Sequence, residues 1–171
     1  MKKEIEVKIK LEKNDNVAKR LKKLGGKKGK KYKQTTYGFF SKDSIKKGIF
    51  PRIRIENSIP VLTVKVKHKK KTDYFERDEH SIRISSVKTG IQILRFLGFD
   101  KVREFTKIRE HWHIPNRKIE ITVDKLYFGK FIELEGTKKE IEKTIKDLGL
   151  KERKRIKRAY LALEDDYRKK G

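Results

Sequence analysis

Charged and apolar residues alternate from the start of the chain, with Glu4, Glu6 and Lys8 set between Ile5, Val7 and Ile9. A period of two puts neighbouring side chains on opposite faces of a strand, so this segment predicts a β-strand with one apolar and one charged face. The pattern returns down the chain. Arg52 and Arg54 stand against Ile53 and Ile55, and Thr63, Lys65 and Lys67 against Leu62, Val64 and Val66. Lys107 and Arg109 fall together, as do Glu120, Thr122 and Asp124, and Glu133 and Glu135 oppose Ile132 and Leu134. Acidic and basic residues are segregated between strands. Solvated faces usually mix the two signs, so the segregation points to a site: carboxylates holding a divalent cation beside a polyanion. The alternative is a set of solvated strand faces.

Three segments carry helical periodicity. Asn14 to Leu24 presents Val17, Leu21 and Leu24, and Ser86 to Leu97 presents Val87, Ile91, Leu94 and Leu97. Thr137 to Leu148 presents Ile141, Ile145 and Leu148 behind a Thr137/Glu140 capping box. Each ends in Leu-Gly, a helix stop: Leu24-Gly25, Leu97-Gly98 and Leu148-Gly149. A fourth helix is expected from Arg155 to about Lys169. The Glu-x-Glu strands before the first and third helices suggest a weak internal symmetry. Lys27, Lys28, Lys30 and Lys31, and later Lys67 with Lys69 to Lys71, read as exposed loops or hairpin tips.

The 171 residues, 35% hydrophobic and 43% charged, carry a formal charge of +25. The apolar residues are periodic, so the chain folds, and its length suits one domain. The charge implies an anionic partner, although high Lys and Glu content also suits a heat-adapted source. With no cysteine, disulfides and thiolate metal sites are excluded. Neither a membrane-spanning apolar run nor an apolar signal core is present, so the expected location is cytoplasmic.

The apolar faces need cover, and amphipathic helices are available to supply it. If the sheet closes into a barrel of about eight strands, the charged faces line a narrow lumen. Like charges there repel unless metal ions meet the carboxylates and anions meet the Lys and Arg groups. A divalent metal on a phosphate chain satisfies both.

The ordered run Glu4-x-Glu6-x-Lys8, Gln34 and Tyr37, Arg52-x-Arg54, Thr63-x-Lys65, Arg77-Asp78-Glu79, Lys107-x-Arg109, Asp124 and Gly129-Lys130-Phe131-Ile132-Glu133-Leu134-Glu135 resembles the CYTH superfamily. Lys157-x-x-Tyr160 near the end extends the match. These triphosphate tunnel metalloenzymes include class IV adenylyl cyclases, thiamine triphosphatases and inorganic tripolyphosphatases. The resemblance implies an α+β fold: a closed antiparallel β-barrel with helices outside, enclosing a tunnel, as one CYTH domain over 1–171. By the same resemblance, Lys8, Arg52, Arg54, Lys65, Arg77, Lys107 and Arg109 would bind the triphosphate. Glu4, Glu6, Asp124, Glu133 and Glu135 would hold Mg²⁺ or Mn²⁺, and Glu4, Glu6, Lys8 and Glu79 would form the catalytic set. Thr35, Ser81 and Ala159 depart from the pattern. Ser81 removes an acid from the wall that Glu79 joins, which leaves the number of metals open.

The function implied is metal-dependent hydrolysis of tripolyphosphate, thiamine triphosphate or a nucleoside triphosphate, by a monomer or homodimer. The alternative within the family is cyclisation of ATP to cyclic AMP and pyrophosphate. The alternative of another class is a polyanion- or RNA-binding protein, motivated by the charge. His111 and His113 share one strand face, with His68 and His80 the only other histidines; ordinary strand positions explain them better than zinc. Trp112, Tyr32 and Tyr37 lie near basic residues, as packing or as stacking groups for a base. Tyr127 and Phe128 precede Gly129 in an expected tight turn at the tunnel edge. No P-loop or Gly-x-Gly-x-x-Gly is present.

Overall fold

The computed structural model describes residues 2–67 and 74–169. His68 and the Lys69 to Lys71 run lie outside the described residues. In chain order the elements are β1 (Lys2–Leu11), a 3-10 turn (Lys13–Asp15), α1 (Val17–Lys23), β2 (Lys27–Phe40), α2 (Lys42–Lys47), β3 (Ile49–Glu56), β4 (Ile59–Lys67) and β5 (Phe75–Arg83). There follow α3 (Val87–Phe96), β6 (Lys101–His113), β7 (Ile119–Leu126), β8 (Gly129–Gly136), α4 (Lys138–Asp147), β9 (Arg155–Ile156) and α5 (Tyr160–Arg168).

The strands form one sheet in the order β5-β4-β3-β2-β6-β7-β8-β1-β9, and β5 pairs with β1 as well. That last pairing closes β1 to β8 into an antiparallel barrel, the α+β fold class expected from the residues. The two Glu-x-Glu strands, β1 and β8, are direct antiparallel neighbours.

The chain divides into two compact units, one built from Met1–Glu4, Lys33–Lys71 and Glu76–Lys107, the other from Ile5–Tyr32, Thr72–Phe75 and Ile108–Gly171. In the first, Phe39, Ile53 and Leu94 form the core, with Leu62, Ile84, Val87 and Ile91 packed around them. The helix α3 lies close to the sheet because Gly90 faces it: a Cβ there would come within 2.8 Å of Ile84 and 2.9 Å of Ile53. In the second, the apolar face of β1, β7 and β8 (Val7, Ile9, Ile121, Val123, Ile132 and Leu134) packs with Val17 and Leu21 of α1 and Ile141 and Ile145 of α4. Each such side chain, fully buried, contributes about 1.5–3 kcal/mol.

All three Leu-Gly stops adopt one geometry. Gly25, Gly98 and Gly149 have φ of +74°, +87° and +61°, a left-handed conformation that glycine adopts without a Cβ penalty. The next amide donates back to the helix: Gly26 to Leu21, Phe99 to Leu94 and Leu150 to Ile145. This is the Schellman arrangement, and in α3 and α4 the residues so joined also pack in the core.

Two expectations are corrected. Lys27 to Lys31 lie within β2, not in a loop, although they are exposed there. The expected fourth helix starts later: Arg155 and Ile156 form β9, which pairs with Ile9 and Lys8, and α5 begins at Tyr160. Ala159 at its N-cap has no side chain able to cap it, so no local signal marks the start. Among the described residues no helix is long and apolar enough to cross a membrane.

Candidate functional site

Directly opposed residues on paired strands point to the same side of a sheet. In the first unit the register sets Gly38, Arg52, Thr63 and Ser81 in one row and Phe50, Lys65 and Glu79 in the next. Thr36 opposes Arg54, and Gln34 opposes Glu56. One face of this unit is therefore polar, and it is substantially buried: Thr63 is fully covered, and Lys65, Arg77 and Gln34 are buried.

The groups on this face meet. The Lys65 Nζ lies 2.5 Å from a Glu4 oxygen and 3.0 Å from Glu79, and Arg52 lies 3.7 Å from Glu79. Ser81 donates to Glu79 at 3.0 Å and shares a 2.9 Å hydrogen bond with Thr63. Ser81 thus stands in the acidic wall as a hydroxyl partner of Glu79. Burial opposes the charge on Glu79, but Lys65 and Arg52 outweigh it and hold its carboxyl at about 2. The Arg54 Nε lies 3.1 Å from Glu56, which also accepts from Gln34. The Arg77 guanidinium sits 5.1 Å from the Phe50 ring centre. Lys107 is buried, and its neighbour Thr106 shares a hydrogen bond with Thr35.

The second unit has its own buried polar face. Lys8 opposes Glu133, Glu133 opposes Thr122, and Asp124 opposes Arg109. The Lys8 Nζ lies 3.1 Å from Glu133 and 3.3 Å from Glu6, and donates to the Arg158 carbonyl at 3.3 Å. Burial disfavours the Lys8 ammonium, yet Glu133 and Glu6 outweigh it and raise its pKa. Arg109 holds Asp124 bidentately, at 2.7 and 2.6 Å, and also donates to Glu133. Asp124 is 0% exposed.

Tyr160 completes this cluster. Its hydroxyl donates to Asp124 at 2.9 Å, and its ring lies 4.3 Å from the Lys8 ammonium. Burial first, and then the Glu133 and Asp124 carboxylates, push its phenol well above the usual range, so it remains a neutral donor. The sequence match reached Tyr160 but gave it no role. The only signal was a Tyr in the last pattern segment, far in sequence from Lys8 and Asp124.

The five expected metal ligands are distributed unevenly. Glu4 belongs to the first unit, whereas Glu6, Asp124, Glu133 and Glu135 belong to the second. Glu6 stands directly opposite Glu135, and Glu135 opposite Glu120. Facing like charges destabilise a sheet unless a cation neutralises them. Carboxylate oxygens are the donors that Mg²⁺ and Mn²⁺ take, so the donor set fits a hard divalent ion. Among the described residues no group of three or more His, Asp or Glu gathers at ligating distance; Lys8, Lys65 and Arg109 lie between the carboxylates instead.

The aromatic candidates separate. Trp112 is buried in the core and donates its indole N–H to Glu110 at 2.8 Å. Tyr37 packs against the Phe39 cluster. Tyr127 and Phe128 form the expected turn between β7 and β8; Tyr127 is exposed, and Phe128 is buried against Phe131 and Tyr167. Tyr32 pairs with His111.

A family model for the CYTH domain matches residues 2–160. The chain also superposes on solved structures. The PH1012 protein of Pyrococcus horikoshii matches with a TM-score of 0.79 at 23% identity, over 94% of this chain and 98% of that one. The PH1819 protein of the same organism gives a TM-score of 0.77 at 27% identity, over 95% and 98%. A proposed adenylyl cyclase from Hippeastrum, described as having a dominant triphosphatase activity, gives 0.59 at 15% identity, over 88% and 89%. No curated protein matches the chain.

Proposed function

Because the chain belongs to the CYTH family, we propose that it is a divalent-metal-dependent triphosphate hydrolase, acting as one CYTH domain over 1–171. CYTH proteins are in general enzymes that process triphosphates with the help of a divalent metal. The observation that carries the reading is the pair of buried, charged strand faces. Burying Lys8, Lys65, Arg109, Glu4 and Asp124 costs several kcal/mol per ion before pairing. A fold that needed only stability would be served as well by apolar residues at those positions.

Arg52, Arg54, Lys65, Arg77 and Lys107 bind phosphate oxygens, the guanidinium forks by two parallel hydrogen bonds. Lys8 and Arg109, on the second polar face, would bind further phosphate oxygens. Glu4, Glu6, Asp124, Glu133 and Glu135 would hold Mg²⁺ or Mn²⁺, which when bound neutralises phosphate charge and activates water. Glu79, kept ionised by Lys65 and Arg52, serves with Glu4, Glu6 and Lys8 in the catalytic set. Catalysis of this kind is mostly positioning and charge neutralisation. Hydrolysis is favoured over cyclisation because it requires only the phosphate chain and the metal. The Hippeastrum neighbour, with its dominant triphosphatase activity, is consistent with that choice.

The test is incubation with Mg²⁺ or Mn²⁺ and, separately, tripolyphosphate, thiamine triphosphate and ATP. Phosphate release is expected. Cyclic AMP with pyrophosphate would replace hydrolysis by cyclisation, and no turnover of any of the three would refute the enzyme reading. The exposed lysines on β2 favour a second reading, polyanion binding. RNA binding that persists in Lys8→Ala and Glu6→Ala proteins would support it.

A further inference from the structure

Of the three aromatic residues near basic groups, only Tyr32 is left outside the packed cores, and it is held by a histidine. The Tyr32 hydroxyl and the His111 Nε2 are 2.8 Å apart, and the two rings stack at 5.6 Å between centres, 25° from parallel. Both are half-buried, so each keeps surface open to a ligand. Glu120 lies 3.8 Å from the His111 Nδ1 on the far side of the ring from Tyr32's bond.

The location gives this pair a use. His111 lies two positions from Arg109 on β6, and it opposes Thr122, which in turn opposes Glu133. It therefore occupies the same face as the Arg109–Asp124–Glu133 cluster, about 7 Å along the strand from Arg109. Phosphate oxygens held at Arg109 leave whatever group the phosphate chain carries within reach of this platform. The strand β2 runs beside His111: a Cβ on Gly29 would sit 3.4 Å from the His111 Cβ, an ordinary contact. A planar ring gains from stacking on such a platform whatever its hydrogen-bonding edge.

We infer that Tyr32 and His111 form the recognition platform for a planar aromatic group carried by the triphosphate. The inference rests on the triphosphate reading and narrows it: the substrate is an aromatic organic triphosphate, such as a nucleoside triphosphate, rather than inorganic tripolyphosphate. The Tyr32–His111 hydrogen bond fixes both rings before the ligand arrives, which lowers the ordering cost of binding.

Equilibrium binding of tripolyphosphate and of a non-hydrolysable ATP analogue, both with Mg²⁺, tests this by calorimetry on the wild-type chain. The analogue should bind more tightly. His111→Ala and Tyr32→Ala should each lower the ratio of the two affinities about tenfold. His111→Phe, which keeps a ring but not the hydrogen bond, should restore most of the ratio; a purely structural role for His111 would not produce that rescue. Equal ratios in wild type, His111→Ala and Tyr32→Ala would overturn the platform while leaving the triphosphate reading intact. A wild-type protein that binds neither ligand would overturn both.

Discussion

The two polar faces are biased in opposite directions. In the first unit Arg52, Arg54, Lys65, Arg77 and Lys107 outnumber Glu4, Glu56 and Glu79. In the second, Glu6, Asp124, Glu133 and Glu135 outnumber Lys8 and Arg109. The contacts differ in kind as well. On the basic face a lysine bridges two carboxylates, and Arg52 lies 3.7 Å from Glu79. On the acidic face Arg109 is held by Asp124 and Glu133, and a tyrosine adds a neutral donor. The first bias suits an anion and the second suits a cation.

Removing the central cation of the acidic face should break that comparison most severely. Arg109→Ala leaves Asp124 and Glu133 buried without their guanidinium, and a stability loss of about 3–5 kcal/mol in denaturant unfolding is expected. Tyr160→Phe removes one hydrogen bond to a buried carboxylate and should cost about 1.5–3 kcal/mol by the same measurement. An unchanged midpoint in that variant would mean that Tyr160 only fills space.

Cation binding sharpens the contrast further. Mg²⁺ at about ten times its dissociation constant should stabilise the wild type by about 1.4 kcal/mol in thermal melts. Glu135→Gln relieves the repulsion opposite Glu6 and should shrink that response; an equal response would remove Glu135 from the ligand set.

A pH dependence is expected on the basic face. The Glu79 carboxyl is lowered from 4.5 to about 2 in the folded protein. Its contribution to stability is therefore complete above pH 4.5 and is lost as the pH falls towards 2. Glu79→Gln should lower stability near neutrality, where that contribution is complete, and flatten the profile between pH 4.5 and 2.

Much of this was readable from the residues alone, because alternation fixes which side chains share a face. The strands β1, β3, β4, β7 and β8 all showed it. The strand β5 did not, since Arg77 and Glu79 alternate with Asp78 and His80, so both of its faces are polar. The lysines at the start of β2 hid a strand inside what looked like a loop. The helix α2 is only six residues long, too short for a periodic signal. The site residues were legible as sets, but their partners were not. Lys8 meeting Glu133, or Tyr160 meeting Asp124, depends on register and on where the C-terminal segment returns, and neither is encoded locally.

Calorimetric titration of tripolyphosphate into the wild-type chain, with and without Mg²⁺, tests the central claim most directly. Binding that requires the metal, and that is lost in both Arg52→Ala and Glu135→Gln, is the predicted result. Binding of equal strength without the metal, or retained in both variants, would contradict it.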